Sequence, residues 1–363
     1  MKIDLIAGAR PNFMKISPII DAIREASGGG ENISYRLIHT GQHYDKNMSG
    51  SFFEQLNIPE PDVNLGAGGG SQAEQTAAIM VGYEKLLMEE RSDLCLVVGD
   101  VTSTMACAIS AQKMHVPVAH VEAGIRSGDW SMPEEINRMV TDSITNYFFT
   151  TTEIANESLR KTGVEEDRIF FVGNTMIDTL LKHRPRFKKP AVWDEIGLED
   201  QKYLVMTLHR PANVDQEEKL KSLMDEIINH SQGLPLIFPV HPRTRKMLEN
   251  LGIKHDRLHM IDPLGYLEFN YLVERAKAVV TDSGGITEET TVMGVPCMTL
   301  RDNTERPETI TQGTNELIGT DPKAIQPAME KLFSGQWKKG SIPEKWDGQT
   351  ARRIVEVLVG LGE

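Results

Sequence analysis

The run LCLVVGD (residues 94–100), five apolar residues closed by Gly99-Asp100, decides how the chain folds. It has the length and closure of a strand buried on both faces. VTSTMACAISAQKMH (101–115) follows with a helical pattern. A second apolar run opens VPVAHVEAGIRSGD (116–129), and MPEEINR (132–138) starts another helix behind Pro133. Strand, helix, strand, helix in that order predicts βαβ units, a parallel sheet and right-handed crossovers. Both apolar runs end in carboxylates, Asp100 and Glu122, and Glu134-Glu135 sits at the helix start. Ligands of open parallel sheets lie beyond the carboxyl ends of the strands. Asp100, Glu122 and Glu134 are therefore candidates for acid and base roles in one crevice, where crowding drives carboxylate pKa values apart.

Outward from this stretch the alternation continues. Strands are expected at 2–8, 35–40, 147–151 and 168–172, with helices opened by Pro11 and over 72–90 and 153–161. A helix over 174–182 precedes HRPRFKKPAVWDEIGLED (183–200), whose Pro and charge mark a linker. A second βα series follows, with strands at 203–208, 236–240, 258–261, 278–281 and 297–300. Its helices are expected over 217–229, 243–250 and 266–275, and two more close the chain at 324–333 and 351–361. The expected fold class is α/β, in two domains. The first covers 1–173, joined by the C-terminal helix 351–363, and the second covers 174–350.

Composition narrows the function. A chain of 363 residues with a formal net charge of −13 is a poor partner for nucleic acid or an anionic membrane. It can still hold a phosphorylated small molecule on a helix N-terminus and a few arginines. Cys95, Cys107 and Cys297 lie in apolar patterns without metal-ligand spacing and read as reduced core thiols of a cytoplasmic protein. The first apolar run is too short for a signal peptide, and no run approaches a membrane span. The pairs His39/His43 and His255/His259 are four apart but have no acid at metal spacing, so no metal is expected.

Several turns carry anion chemistry. GARPNFMK (8–15) sets Arg10 and Lys15 beside a helix start after the first strand. TDSGGITEE (281–289) ends a strand at Asp282 and opens a helix with Ser283, Gly284 and Gly285, a phosphate cradle with Glu289 further in for sugar hydroxyls. His209-Arg210 and His241 with Arg243 end the first two strands of the second half and face one rim. Arg306 in RDNTERPE (301–308) can reach a phosphate and Glu308 a hydroxyl. Gly66–Gly70 misses the dinucleotide fingerprint and reads as a flexible loop, which leaves no NAD site.

Together these segments resemble the non-hydrolysing UDP-N-acetylglucosamine 2-epimerase family. The matching motifs are GARPNFMK, TGQHYDKN, VVGDVTST, HVEAGIRSGD, MPEEINR, GNTMIDTL, LHRPANVD, HPRT, TDSGGITEE and NTERPE. The resemblance implies two Rossmann-like domains facing a central cleft, as in GT-B glycosyltransferases, in a cytoplasmic homodimer with no cofactor. It places the critical carboxylates on Asp100, Glu122 and Glu134 and the cleft histidine on His209. Nucleotide contacts would fall on Arg10, Lys15, Arg138, Phe269, Ser283, Gly284, Gly285, Glu289 and Arg306, with Phe269 against the uracil ring. Asn12 stands where the family's first motif has Glu. Gln42, His43 and Gln75 match an allosteric UDP-GlcNAc site of some members, but Glu74 replaces an Arg there and would repel a diphosphate.

The implied reaction interconverts UDP-GlcNAc and UDP-ManNAc. The C2 proton is not next to a carbonyl, so its removal goes with loss of UDP from C1 and gives 2-acetamidoglucal. Return of proton and UDP on the other face inverts C2. Such a site needs an anion clamp, an acid and base on opposite faces, and water exclusion. The alternatives are a retaining GT-B-type UDP-sugar glycosyltransferase, a non-catalytic sugar-nucleotide sensor, hydrolytic release of free N-acetylmannosamine, and an epimerase acting on a diacetamido uronic acid. The three carboxylates argue against the first two.

Overall fold

The computed structural model describes residues 1–41, 53–240 and 242–362. It divides into two compact units. The first joins Met1–Lys182 to Glu344–Glu363, and the second is His183–Pro343. The division falls at the head of the Pro- and charge-rich linker. The boundary expected at 173/174 lies one helix too early.

In the first unit, strands β1 (Lys2–Ala7), β2 (Ser34–His39), β3 (Val63–Asn64), β4 (Leu94–Val98), β5 (Val118–Val121), β6 (Tyr147–Thr150) and β7 (Ile169–Phe171) form one sheet. Their order is β3-β2-β1-β4-β5-β6-β7, and every ladder is parallel. The chain reverses its direction of travel between β1 and β4, which is the topological switch point. Edge strand β3 lies where the sequence before Gly66 carries only a weak strand pattern. Its two residues are strand because they pair with Ile38 and His39.

Helix α1 (Arg10–Gly28) starts with Pro11 in its first turn and buries Ile16, Ile19, Ile20 and Ile23, a stripe one helical face wide. Pro18 lies inside it and has no N–H for the Met14 carbonyl. Thr179 Oγ1 donates to that carbonyl at 2.6 Å, so the helix Thr175–His183 is pinned where α1 has a spare acceptor. The tail is fastened nearby. Asp178 accepts from the backbone N–H groups of Thr350 and Ala351 at 3.1 and 2.7 Å and so caps the helix Thr350–Leu361. Gly173, at φ +108°, is in the left-handed region, and a Cβ there would lie 2.1 Å from the Lys345 carbonyl oxygen. No other residue type allows that approach.

The second unit repeats the design. Strands β8 (Leu204–Thr207), β9 (Leu236–Pro239), β10 (Leu258–Ile261), β11 (Ala278–Thr281), β12 (Cys297–Thr299) and β13 (Asn315–Leu317) are ordered β10-β9-β8-β11-β12-β13. All are parallel. The switch point lies between β8 and β11. Strand residues of one parity, among them Leu204, Met206, Phe238 and Val280, pack under Leu223, Ile227 and Met329. Those of the other parity, Tyr203, Val205, Ile237 and Val279, pack under Leu272 and Val273. Both faces are thus helix-covered, as the near-continuous apolar strands required. Edge strand β13 (NEL) is not expected from sequence, because only its ladder to β12 makes it a strand. All three cysteines are buried and unpaired, and no helix among the described residues is long and apolar enough to cross a membrane.

Candidate active site

Charged residues collect at each switch point. In the first unit, β4 is followed by Gly99, whose φ of +70° turns the chain sharply. A Cβ at Gly99 would sit 3.2 Å from Lys15 Nζ, 3.7 Å from Asn12 Nδ2 and 3.7 Å from Glu122 Oε2. This turn is the centre of the cluster and needs the smallest residue. Asn12 ties it to α1. Its Oδ1 accepts from the Gly8 and Ala9 N–H groups, and its Nδ2 donates to the Val98 carbonyl at 2.9 Å. A carboxylate at position 12 has no hydrogen with which to make that last bond.

Lys15 Nζ lies 2.7 Å from Glu122 Oε2, and both side chains are nearly buried. Glu122 itself has φ +71°. A non-glycine residue in that region costs about 1–2 kcal/mol and persists only where its surroundings hold it. The N–H groups of Glu122 and Ala123 share the Phe149 carbonyl as acceptor, at 3.0 and 3.1 Å.

Asp100 is held from α4 (Pro133–Ile144), where α2 is Gln72–Glu89 and α3 is Thr102–Lys113. Arg138 donates from Nε and Nη2 to Asp100 Oδ2 at 3.0 and 2.6 Å, and from Nη1 to Glu135 Oε2 at 2.6 Å. Asn137 donates to the Asp100 carbonyl at 2.8 Å. Glu135 also accepts from Ser127 N, Ser127 Oγ and Gly128 N. Burial pushes the Glu135 carboxyl up, but these amide donors and Arg138 outweigh it and hold the group below its ordinary range.

The sequence pattern places Glu134 in this set. The hydrogen bonds run instead to its neighbour. Glu134 is half-buried and makes no hydrogen bond to the cluster among the described residues. Successive helical positions differ by about 100°, so only one of two adjacent carboxylates can meet Arg138, and the one at i−3 does.

In the second unit, Asp282 is fully buried at the end of β11. It accepts from His209 N at 3.1–3.2 Å, Arg210 N at 2.9 Å and Asn213 Nδ2 at 3.1 Å. Its Oδ1 lies 2.7 Å from His209 Nδ1. Burial pushes this carboxyl up, but His209 and the amide donors prevail and lower it. The His209 side chain is 58% exposed, so its Nε2 edge is available to a ligand while Asp282 fixes the ring. In the sequence Asp282 reads only as a strand end. Its pairing with His209 joins β8 to β11 across 73 residues and leaves no local signature.

Ser283 precedes the helix Gly284–Met293, whose first turn has no side-chain cap and no acidic residue. Its free N–H groups and dipole favour an anion. A Cβ on Gly284 would lie 2.8 Å from Glu305 Oε1, so a carboxylate already stands near that helix start. Glu305 is gripped by Arg301 at 3.2 and 2.5 Å. Burial works against its charge, yet Arg301 and Arg306 bring its pKa to about 2. Arg306 Nε is 3.0 Å from Glu288 Oε1. Glu289 is buried and accepts from the Tyr266 hydroxyl at 2.8 Å. Burial, reinforced by Glu288, raises it to about 7. Phe269 is half-buried on the helix Tyr266–Arg275, against the core that contains Leu272 and Val273. Arg10 is exposed at the start of α1. His241, the side chain of Arg243, Gln42 and His43 lie outside what the structure describes.

Gly66–Gly70 is less loose than a glycine run suggests. The Ala67 N–H donates to the Thr40 carbonyl at 2.8 Å. Ser71 then caps α2 in a reciprocal box with Glu74, at 3.3 and 2.8 Å.

Two doubly wound parallel sheets, one ending in braced carboxylates and the other in an oriented histidine and a glycine-opened helix, define a two-unit α/β enzyme of nucleotide-binding type. The family described as UDP-N-acetylglucosamine 2-epimerase matches residues 26–359. The chain belongs to that family. It is 41% identical to the UDP-N-acetylglucosamine 2-epimerase of Methanocaldococcus jannaschii, over 99% of each chain. It is also 41% identical to the UDP-2,3-diacetamido-2,3-dideoxy-D-glucuronate 2-epimerase of Pseudomonas aeruginosa, over 99% of this chain and 100% of that one. The crystal structure of the M. jannaschii UDP-GlcNAc 2-epimerase in complex with UDP-GlcNAc and UDP is similar at a TM-score of 0.88 and 41% identity, covering 99% and 100% of the two chains.

Proposed function

We propose that the protein epimerises UDP-GlcNAc and UDP-ManNAc at C2 by eliminating and re-adding UDP. The observation that carries this reading is the paired carboxylates Asp100 and Glu122, each held in place by a cation at the switch point of the first sheet. A glycosyltransferase or a sensor has no use for such a set. In the forward step the C1–O bond to UDP breaks, the C2 proton passes to a base, and the C1=C2 bond of 2-acetamidoglucal forms. The reverse step delivers a proton to the opposite face of C2 and returns UDP to C1.

The acid and base are drawn from Asp100, Glu122, His209 and the Glu134/Glu135 pair. Asp282 supports His209 in that role by holding Nδ1 and leaving Nε2 outward. The residues proposed to hold the nucleotide are Arg10, Lys15 and Arg138 of the first unit, and Ser283, Gly284, Gly285, Arg306, Glu289 for the ribose, Phe269 for the base, His241 and Arg243 of the second.

The test is proton NMR of the protein with UDP-GlcNAc in D2O. UDP-ManNAc carrying deuterium at C2 is expected. Absence of exchange defeats the reading, and free ManNAc makes the enzyme a hydrolase. A second reading is favoured by the P. aeruginosa relative, which is as similar as the M. jannaschii one. In that case UDP-2,3-diacetamido-2,3-dideoxy-D-glucuronate exchanges at C2 and UDP-GlcNAc does not.

The working form is a cytoplasmic homodimer. Its reduced, buried cysteines suit that compartment. Exposed Val81, Met88, Ile136 and Met139 suit burial by a second copy, and sedimentation at two concentrations tests it.

A further inference from the structure

His120, on β5, is fully buried. Its Nε2 lies 2.8 Å from the Gly99 carbonyl oxygen and its Nδ1 lies 2.7 Å from Asp142 Oδ1. A carbonyl oxygen can only accept, so Nε2 carries a hydrogen and a proton lies between Nδ1 and Asp142. Asp142, on α4, is also buried. Its other oxygen accepts from Gly124 N at 3.1 Å and from Arg126 Nη1 at 2.6 Å.

One core carboxylate therefore reaches two places. Through His120 it holds the Gly99 carbonyl, immediately before Asp100. Directly, it holds Gly124, two residues past Glu122. Both turns leave the sheet through a residue with positive φ, Gly99 and Glu122. Glycine accepts that conformation, but Glu122 does not keep it by local preference. The ladder between β4 and β5 ends at Val98 and Val121, and one further backbone bond, Gly99 N–H to the Val121 carbonyl, follows it. Beyond that point no backbone hydrogen bond among the described residues joins the two acid-bearing turns directly; the Glu122 turn holds to the Phe149 carbonyl, and what links it to the Asp100 turn is side chains.

We infer that His120 and Asp142 are positioning residues that fix the spacing of the Asp100 and Glu122 turns without touching substrate, an inference that rests on the epimerase reading. Displacement of a reacting group by about 1 Å can cost about 10²-fold in rate.

The experiment compares two amides. In His120→Gln the side-chain nitrogen takes the place of Nε2 and can still donate to the Gly99 carbonyl. In His120→Asn it takes the place of Nδ1 and reaches only Asp142. C2 exchange in D2O is measured for the wild type and both variants with UDP-GlcNAc and with UDP-2,3-diacetamido-2,3-dideoxy-D-glucuronate. Melting temperatures and UDP affinity are measured alongside. The expected result is that Asn loses about 10²-fold in kcat while Gln stays within about tenfold of wild type, with KM and UDP affinity changed by less than about threefold in both. Equal rates in the two variants overturn the inference. So do losses that follow melting temperature, or that appear in KM. A wild type that exchanges neither substrate defeats the functional reading itself, a result distinct from any difference between variants.

Discussion

The two switch points share a topology and differ in everything that follows the strands. At the first, carboxylates and cations neutralise one another inside the protein, and Glu122 is held in a strained backbone conformation. At the second, the buried acid Asp282 serves to aim a histidine outward, and a helix opens on two glycines with its amide groups uncapped by any side chain. The doubly wound fold supplies a place at the strand ends in both. The chemistry comes from which side chains stand there. On the proposed function, the first set supplies carboxylates for proton transfer, and the second supplies a histidine for it and a helix start for the anion.

Substitutions can break that division of labour. The largest effect is expected for Glu122→Gln, with turnover about 10²–10⁴-fold lower and UDP affinity unchanged, as read by kcat and calorimetry. A parallel fall in UDP affinity would merge the two roles. Asp282→Asn comes next. An amide at 282 cannot accept from His209, Arg210 and Asn213 together, so kcat should drop by about 10²-fold and stability by about 1–3 kcal/mol in denaturant titration. Gly284→Ala should act on binding alone. Its methyl group would crowd the anion position, and UDP affinity should fall about tenfold, about 1.4 kcal/mol, with kcat at saturation largely kept.

The next effect is smaller and depends on pH. Glu289 is raised to about 7 in the folded protein, above the ordinary carboxyl value, so the fold favours its neutral form. Its stability contribution is complete below about 4.5 and is lost as pH rises through about 7. Between pH 5 and 8 the wild type should therefore lose more melting temperature than Glu289→Gln; identical slopes would remove Glu289 as the cause. The smallest change is Ser71→Ala, which removes the α2 cap and should cost about 1 kcal/mol without altering kcat.

Much of this was readable in the chain. LCLVVGD and TDSGG mark strands that end in polar turns, because a buried parallel strand must be apolar throughout and its end is where polar residues reappear. S-x-x-E at 71–74 is a capping box in plain view, and it gives Glu74 a structural role at the start of α2. Other features had little or no local signature. Val63–Asn64 and Asn315–Leu317 are strands only through their neighbours.

Local pattern and composition alone determined two α/β halves, the linker near 183 and the positions of Asp100, Glu122, His209 and Ser283, since each follows from short-range periodicity and turn chemistry. Only the tertiary structure decided that Glu135 rather than Glu134 meets Arg138, that Asp282 orients His209, and that His120 and Asp142 brace the two acid turns. Those choices depend on side-chain direction and on partners from 3 to 73 residues away in the chain, and separations of that kind are resolved by packing, not by propensity.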